Sequence, residues 1–338
     1  MIRSSATIAR GMRGVTLVEL MIALVIGLIL TAGATQIFIG SKQTYRTTEA
    51  LSRIQENGRM ALQLLARDIR QADYVGCQDN LTSVNSTLNA GGTYDPLADG
   101  GIDVSDGGST GTDGITLRSV NTNEDLYLTS QPTTTAATLQ VNQEGAVPQG
   151  TIMIITDCRS ADMFQVSNDP PSNSSNQINH ATGYDGPPGN ATNDLSKIYP
   201  PGSMTLQFQQ RRYAITQNDG RNFLTRFVDE NTSVASQEDL IPGVVDFQLT
   251  YGVDSGGDAV ADYYVSGNGM SAADEDNIIA VRIDMVVQSD EENVTTGAGG
   301  AQTFTLDDGS TSGRSVTIQD GRLAQRFTGT YTIRNRVR

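Results

Sequence analysis

The chain has 338 residues, enough for one or two domains, and its formal net charge is −15. This charge excludes binding of nucleic acid through a broad basic face, so any contact with DNA would need a local basic patch. Hydrophobic residues make up 37% of the chain, tryptophan is absent and glycine occurs 35 times. The composition favours a β-rich protein with many loops over a compact helical one.

The first predicted element is an apolar helix near the N-terminus. Its 25 residues, 15–39, hold one charged side chain, that of Glu19. A helix needs about 20 apolar residues to cross the hydrocarbon core of a membrane, so this segment is long enough. Three arginines precede it, namely Arg3, Arg10 and Arg13. The positive-inside rule therefore predicts that residues 1–14 are cytoplasmic and that the chain after the segment lies on the outer side.

The carboxylate of Glu19 needs compensation, because a charge within a membrane segment costs on the order of 2.5 to 3.5 kcal/mol. The run Gly14-Val15-Thr16-Leu17-Val18-Glu19-Leu20 resembles the N-terminus of the type IV prepilin family. The resemblance implies cleavage between Gly14 and Val15 and methylation of the new Val15 amine. It also implies that Glu19, the fifth residue of the mature chain, pairs with the terminal ammonium of a neighbouring subunit. Val15 departs from the family, which usually has phenylalanine or methionine after the cut.

Beyond the apolar segment, the pattern predicts that the helix continues as an amphipathic one. Apolar residues recur at intervals of three and four, at Leu51, Ile54, Gly58, Ala61, Leu62, Leu65, Ile69 and Ala72. We expect Gly76 to end this helix. The predicted organisation is a leader peptide at 1–14, a hydrophobic transmembrane or filament-core helix at 15–40, an amphipathic half at 41–75 and a globular domain at 76–338.

The globular domain is predicted to be rich in β-strands. Strand candidates lie at 115–120, 126–128, 151–156, 204–215, 223–228, 244–251 and 278–287. The turn at 217–220 predicts a hairpin. Low-complexity loops are expected at 79–113 and 168–202, and the second holds six of the ten prolines and the only histidine, His180. This second loop is interpreted as either an exposed contact surface or a disordered segment.

Several segments of the chain resemble the PilW family of minor pilins. They are 54–61, 65–77, 155–166, 240–254 and 325–336. The resemblance implies an α+β type IV pilin fold, in which a long N-terminal helix, half transmembrane and half packed, lies on an antiparallel β-sheet domain with long loops. It also implies a single-pass protein of the inner membrane with a periplasmic C-terminal domain, which later joins the pilus at the cell surface.

The implied function is that of a non-enzymatic minor pilin, which helps to prime pilus assembly and forms part of the tip complex. The implied partners are PilV, PilX and FimU-like minor pilins, the major pilin and a tip adhesin, with prepilin peptidase as the processing enzyme. The segment at 240–254 is also similar to larger minor pseudopilins of type II secretion, so that class remains an alternative. A different alternative is an uncleaved, membrane-anchored periplasmic binding protein.

The remaining motifs predict no enzyme, cofactor or metal. Cys77 and Cys158 both fall on the predicted periplasmic side, where oxidation favours a disulfide over two free thiols. The run Gly107-Gly108-Ser109-Thr110-Gly111 matches the G-x-S-x-G pattern of hydrolases, but its flanks predict neither the strand nor the helix which that mechanism requires. The aspartates of this region, at positions 95, 99, 103, 106 and 113, do not have EF-hand spacing and are interpreted as a solvated acidic loop.

Overall fold

The computed structural model describes residues 14–78, 80–89, 100–108, 110–121, 125–136, 138–145, 147–168, 176–295 and 301–337. The predicted leader before Gly14, two of the acidic positions (Asp95 and Asp99) and Ser109 lie outside these residues. The chain divides into two compact units, 1–49 and 50–338.

Helix α1 spans Leu17–Gln71 and supplies the described helical part of the first unit. Residues 14–42 are all exposed, and the most apolar 18-residue window of the helix has a mean hydropathy of 2.4. Thr31 and Thr35 donate their hydroxyl hydrogens to the carbonyl oxygens four residues earlier, at 2.7 and 2.8 Å. These hydroxyls are therefore satisfied within the helix. The helix is long and apolar enough to cross a membrane.

In the second unit, α1 buries one stripe of side chains. The stripe comprises Ala50, Ile54, Gly58, Ala61, Leu65, Ala66, Asp68 and Ile69. It agrees with most of the predicted apolar face, although Leu51 is exposed. The helix ends before Gly76, because Asp73 already adopts a positive φ of 62° and donates its backbone N–H to the carbonyl of Arg118 at 2.8 Å. A tertiary contact, rather than the glycine, therefore sets the end of the helix.

The strands of the described residues range from two to fifteen residues in length. They are β1 (Asn85–Ser86), β2 (Ile102–Ser105), β3 (Gly114–Asn121), β4 (Leu139–Gln140), β5 (Ile152–Thr156), β6 (Ala161–Gln165), β7 (Gln177–Ile178), β8 (Met204–Asn218), β9 (Arg221–Val228), β10 (Ser236–Pro242), β11 (Val244–Val253), β12 (Tyr263–Val265), β13 (Ile278–Gln288), β14 (Gln302–Leu306), β15 (Arg314–Ile318) and β16 (Ala324–Thr332). One helical turn, α2, spans Ala272–Glu275.

Two main sheets form the second unit. The first has the order β1-β6-β5-β8-β3-β2, with β9 paired to β8 and β10 paired to β9. The second has the order β12-β11-β13-β16, and all its pairs are antiparallel. The largest core cluster contains α1 residues such as Leu65 together with Tyr213 of the first sheet and Phe247 of the second. This arrangement of a long N-terminal helix and antiparallel sheets confirms the predicted α+β pilin fold.

The predicted hairpin at 217–220 is confirmed, since β8 and β9 pair around it and Asp219 and Gly220 have positive φ values of 49° and 75°. The two loop predictions need correction. The first loop region contains β1 and β2. In the second, the described residues 176–202 contain β7 and the fully buried Tyr199.

The second loop is ordered by polar contacts as well as by burial. The hydroxyl of Tyr199 donates to Asp162 Oδ2 at 2.8 Å, and the backbone N–H of Ser196 donates to the same oxygen at 2.9 Å. His180 is buried, with its ring centroid 5.3 Å from that of Phe164. Ile178, Leu195 and Tyr199 of this segment complete a core cluster with β5 and β6, whereas other residues of it, among them 181–183 and 191–194, are exposed.

A disulfide links the end of the helical region to the first sheet. The Sγ atoms of Cys77 and Cys158 are bonded at 2.08 Å. Cys77 follows α1, and Cys158 follows β5. The crosslink closes 81 residues of chain, which limits the freedom of the unfolded state.

Candidate assembly segment

The start of α1 is organised by a reciprocal pair of side chains. The backbone N–H of Thr16 donates to Glu19 Oε2 at 3.3 Å, and the Thr16 hydroxyl donates to the same oxygen at 3.4 Å. In return, the Glu19 backbone N–H donates to Thr16 Oγ1 at 3.3 Å. This geometry is a capping box, in which two backbone N–H groups at the helix start find acceptors. The resemblance to prepilins did not indicate Thr16 as a partner of Glu19, although T-x-x-E spacing is the sequence signature of a capping box.

The capping box places the carboxylate where a helix tolerates it best. Glu19 lies in the first turn, and a negative charge there gains typically 0.3 to 1 kcal/mol from the helix dipole. That gain offsets part of the penalty for a charge in an apolar segment. Only Oε2 accepts hydrogen bonds from the described residues, so Oε1 remains available to a donor from another chain.

The predicted cleavage point lies just outside the helix. Gly14 and Val15 precede Leu17, where α1 begins, and 71% of Val15 is exposed. A Cβ added at Gly14 would meet nothing within 4 Å. The described chain on either side of this peptide bond therefore leaves it accessible to a peptidase.

The hydrolase-like run does not form a nucleophile elbow in its described part. The backbone N–H of Gly111 donates to the Gly107 carbonyl at 2.9 Å, which closes a tight turn between strands β2 and β3. An elbow requires a strand that leads into a helix. Asp113 accepts hydrogen bonds from the backbone N–H groups of Gly107 and Leu249, at 2.9 and 2.7 Å, so it anchors this turn to β11.

Comparison with known families identifies both ends of the molecule. A prokaryotic N-terminal methylation motif matches residues 9–35, which include Gly14, Val15 and Glu19. The family described as type IV pilus-assembly protein W matches residues 212–335, from the middle of β8 past the end of β16. These two matches support a PilW-family type IV pilin. No curated protein and no solved structure gives a significant match.

This minor pilin has the two parts that a type IV pilus subunit needs. The methylation motif covers the start of its apolar helix, and the PilW match covers the second sheet, on which the amphipathic part of α1 packs. The family is structural rather than enzymatic, and its motif implies pilin partners and processing by a prepilin peptidase. The two matches therefore support a minor pilin of the type IV pilus.

Proposed function

We propose that this minor pilin is cleaved between Gly14 and Val15, is methylated on Val15 and inserts residues 15–40 among the helices of other pilins. The observation that supports the proposal is the uncovered apolar surface of residues 14–42. Such a surface is unstable in water and requires either lipid or other apolar helices around it. The inner membrane provides the first environment before assembly, and the filament core provides the second.

Glu19 gives the inserted helix a polar contact with one neighbour. After cleavage, the terminal ammonium of an adjacent subunit would supply the donor that Glu19 Oε1 lacks among the described residues. In an apolar interior, a paired charge is far less unfavourable than an unpaired one. The contact therefore favours the register in which ammonium and carboxylate meet over registers that leave both buried and alone.

The size of the second unit is the reason to place this pilin at the tip of the filament. Residues 50–338 form one large unit with many loops, which would crowd its copies if it were repeated along a shaft. We therefore place this pilin in a priming and tip complex with PilV, PilX and FimU-like subunits, next to the major pilin and a tip adhesin. The domain is periplasmic before assembly, a compartment in which the Cys77–Cys158 disulfide is stable.

N-terminal sequencing and intact mass of the protein purified from its host test the processing step. We expect a chain that begins with methylated Val15, and a chain that begins at Met1 would refute the proposal in favour of an uncleaved anchor. A deletion strain tests the machinery. Loss of surface pili supports a pilus role, whereas intact pili with loss of secreted enzymes would assign the protein to a secretion pseudopilus.

A further inference from the structure

Four arginines converge on one cleft of the second unit, which we call the arginine cleft. Its volume is about 590 Å³. Arg67 and Arg70 come from the last turns of α1, Arg211 comes from β8, and Arg334 follows β16. Neutral polar side chains, including those of Tyr74 and Asn335, complete the wall. Three separate elements of a strongly acidic protein thus contribute positive charge to one concave site.

The positive charge of the cleft is only partly balanced. Asp68 Oδ1 lies 3.0 Å from Arg67 Nε and 3.6 Å from Arg211 Nη1. The same buried carboxylate also accepts a hydrogen bond from the Tyr213 hydroxyl at 2.6 Å. Asp68 therefore accepts two hydrogen bonds and forms an ion pair with Arg211, and among the described residues no carboxylate lines the cleft itself.

Two guanidinium groups of the arginine cleft have no carboxylate partner among the described residues. Within the described part of the chain, Arg70 and Arg334 form no ion pair, and Arg70 lies 5.4 Å from the ring centroid of Tyr331. An arginine in the last turn stabilises a helix by interacting with its terminal carbonyl groups, which accounts for Arg70. It does not account for Arg211 on β8 or for Arg334, which follows β16, and both line the same cleft.

We propose that the arginine cleft binds the carboxylates of an acidic segment on a neighbouring pilin subunit. Guanidinium groups form paired hydrogen bonds with carboxylates, and a concave site with several of them would hold a short acidic segment. Duplex DNA is a poorer fit, because a chain with a net charge of −15 repels a long polyanion outside the cleft. The identity of the neighbour rests on the proposed pilus function, but the binding chemistry rests on the cleft alone.

A peptide-binding assay tests the cleft without requiring assembly. The full-length protein in non-ionic detergent is titrated against a fluorescein-labelled hexaglutamate peptide, with a labelled hexaserine peptide and a 20-base-pair DNA duplex as comparisons. Arg70→Gln and Arg334→Gln are the test variants. Arg59→Gln is the matched control, since Arg59 is exposed on α1, about 12 Å along the helix from Arg67.

We expect saturable binding of hexaglutamate that weakens with salt and falls about tenfold in each test variant, while Arg59→Gln binds as the wild type does. No binding of hexaglutamate, equal losses in the control variant, or tighter binding of the DNA duplex would each overturn the proposal. The assay is independent of processing. A failure of cleavage at Gly14 would refute the proposed function and leave the peptide-binding result intact. Absence of peptide binding in a protein that is cleaved normally would refute only the proposed role of the arginine cleft.

Discussion

Gly58 of α1 lies directly against the aromatic ring of Phe327 on β16. A Cβ built at position 58 would overlap three carbons of that ring. The absence of a side chain at this point is what allows the helix to approach the second sheet so closely. The contact also joins the amphipathic half of the helix to the region matched by the PilW family.

Gly58→Ala should therefore destabilise the second unit. Alanine favours a helix over glycine by about 1 kcal/mol, but overpacking of a core costs typically 1 to 3 kcal/mol. We expect a net loss in the free energy of unfolding, measured by urea denaturation in detergent. Gly40→Ala is the control, since nothing lies within 4 Å of its added Cβ. Combining Gly58→Ala with Phe327→Leu should restore part of the loss, and a stabilised Gly58→Ala protein would contradict the close packing.

Glu19→Gln separates the two roles of Glu19. Glutamine at this position of a capping box still accepts the hydrogen bond from the Thr16 N–H, so the helix start should be retained. The negative charge is lost, so pairing with a neighbouring ammonium is lost too. We expect normal cleavage but reduced incorporation into filaments, measured by immunoblotting of sheared pili. Glu19→Ala should reduce incorporation at least as much. Incorporation of Glu19→Gln at the wild-type level would show that only the cap matters.

Asp229 should make the protein more stable at mildly acidic pH. Burial raises its pKa to about 6, against an ordinary value of 3.8, although it accepts the backbone N–H of Gln210 at 2.8 Å. Between these two values the folded state binds more protons than the unfolded state. Stability from this group is therefore full below about pH 4 and falls as the pH rises through 6. The expected decrease is on the order of 3 kcal/mol.

Asp229→Asn tests this pH dependence. Asparagine keeps an oxygen acceptor and tolerates the positive φ of 49° at this position. We expect the variant to unfold at a higher urea concentration than the wild type at pH 7 and at a similar one at pH 4. Burial also raises the pKa of Asp113 to about 6. The stability of the Asp229→Asn variant should therefore depend less on pH than that of the wild type, but the dependence should not vanish. If the free energy of unfolding changed equally with pH in both proteins between pH 4 and 7, Asp229 would be ruled out as a source of the pH dependence.

The Cys77–Cys158 disulfide should be formed in protein purified from the periplasm. Intact mass should rise by two hydrogens on reduction, and the unreduced protein should resist alkylation. From the sequence separation of 81, the crosslink should contribute about 4 kcal/mol to the free energy of unfolding. Cys77→Ser and Cys158→Ser should each lower stability by a similar amount. Alkylation of both cysteines before reduction would disprove the crosslink.

The long elements of the fold were predictable because their side-chain patterns are local. The helix shows a change from uniform apolarity to a buried stripe, and β8, β11 and β13 alternate or run apolar over many residues. The strands that escaped prediction are short, lie at sheet edges or have polar faces, as in β10 and the β14–β15 hairpin. Such strands are held by their pairing partners more than by their own composition.

By itself, the sequence determined the apolar segment from Val15, its single carboxylate and the long strands β8, β9, β11 and β13, since each depends on residues close together in the chain. Only the tertiary structure decided that Tyr199 is buried, that Asp73 ends the helix and that Gly58 meets Phe327. The arginine cleft also belongs to the tertiary structure. Its residues lie far apart in sequence, and strand pairing and helix packing bring them to one site, which no local pattern encodes.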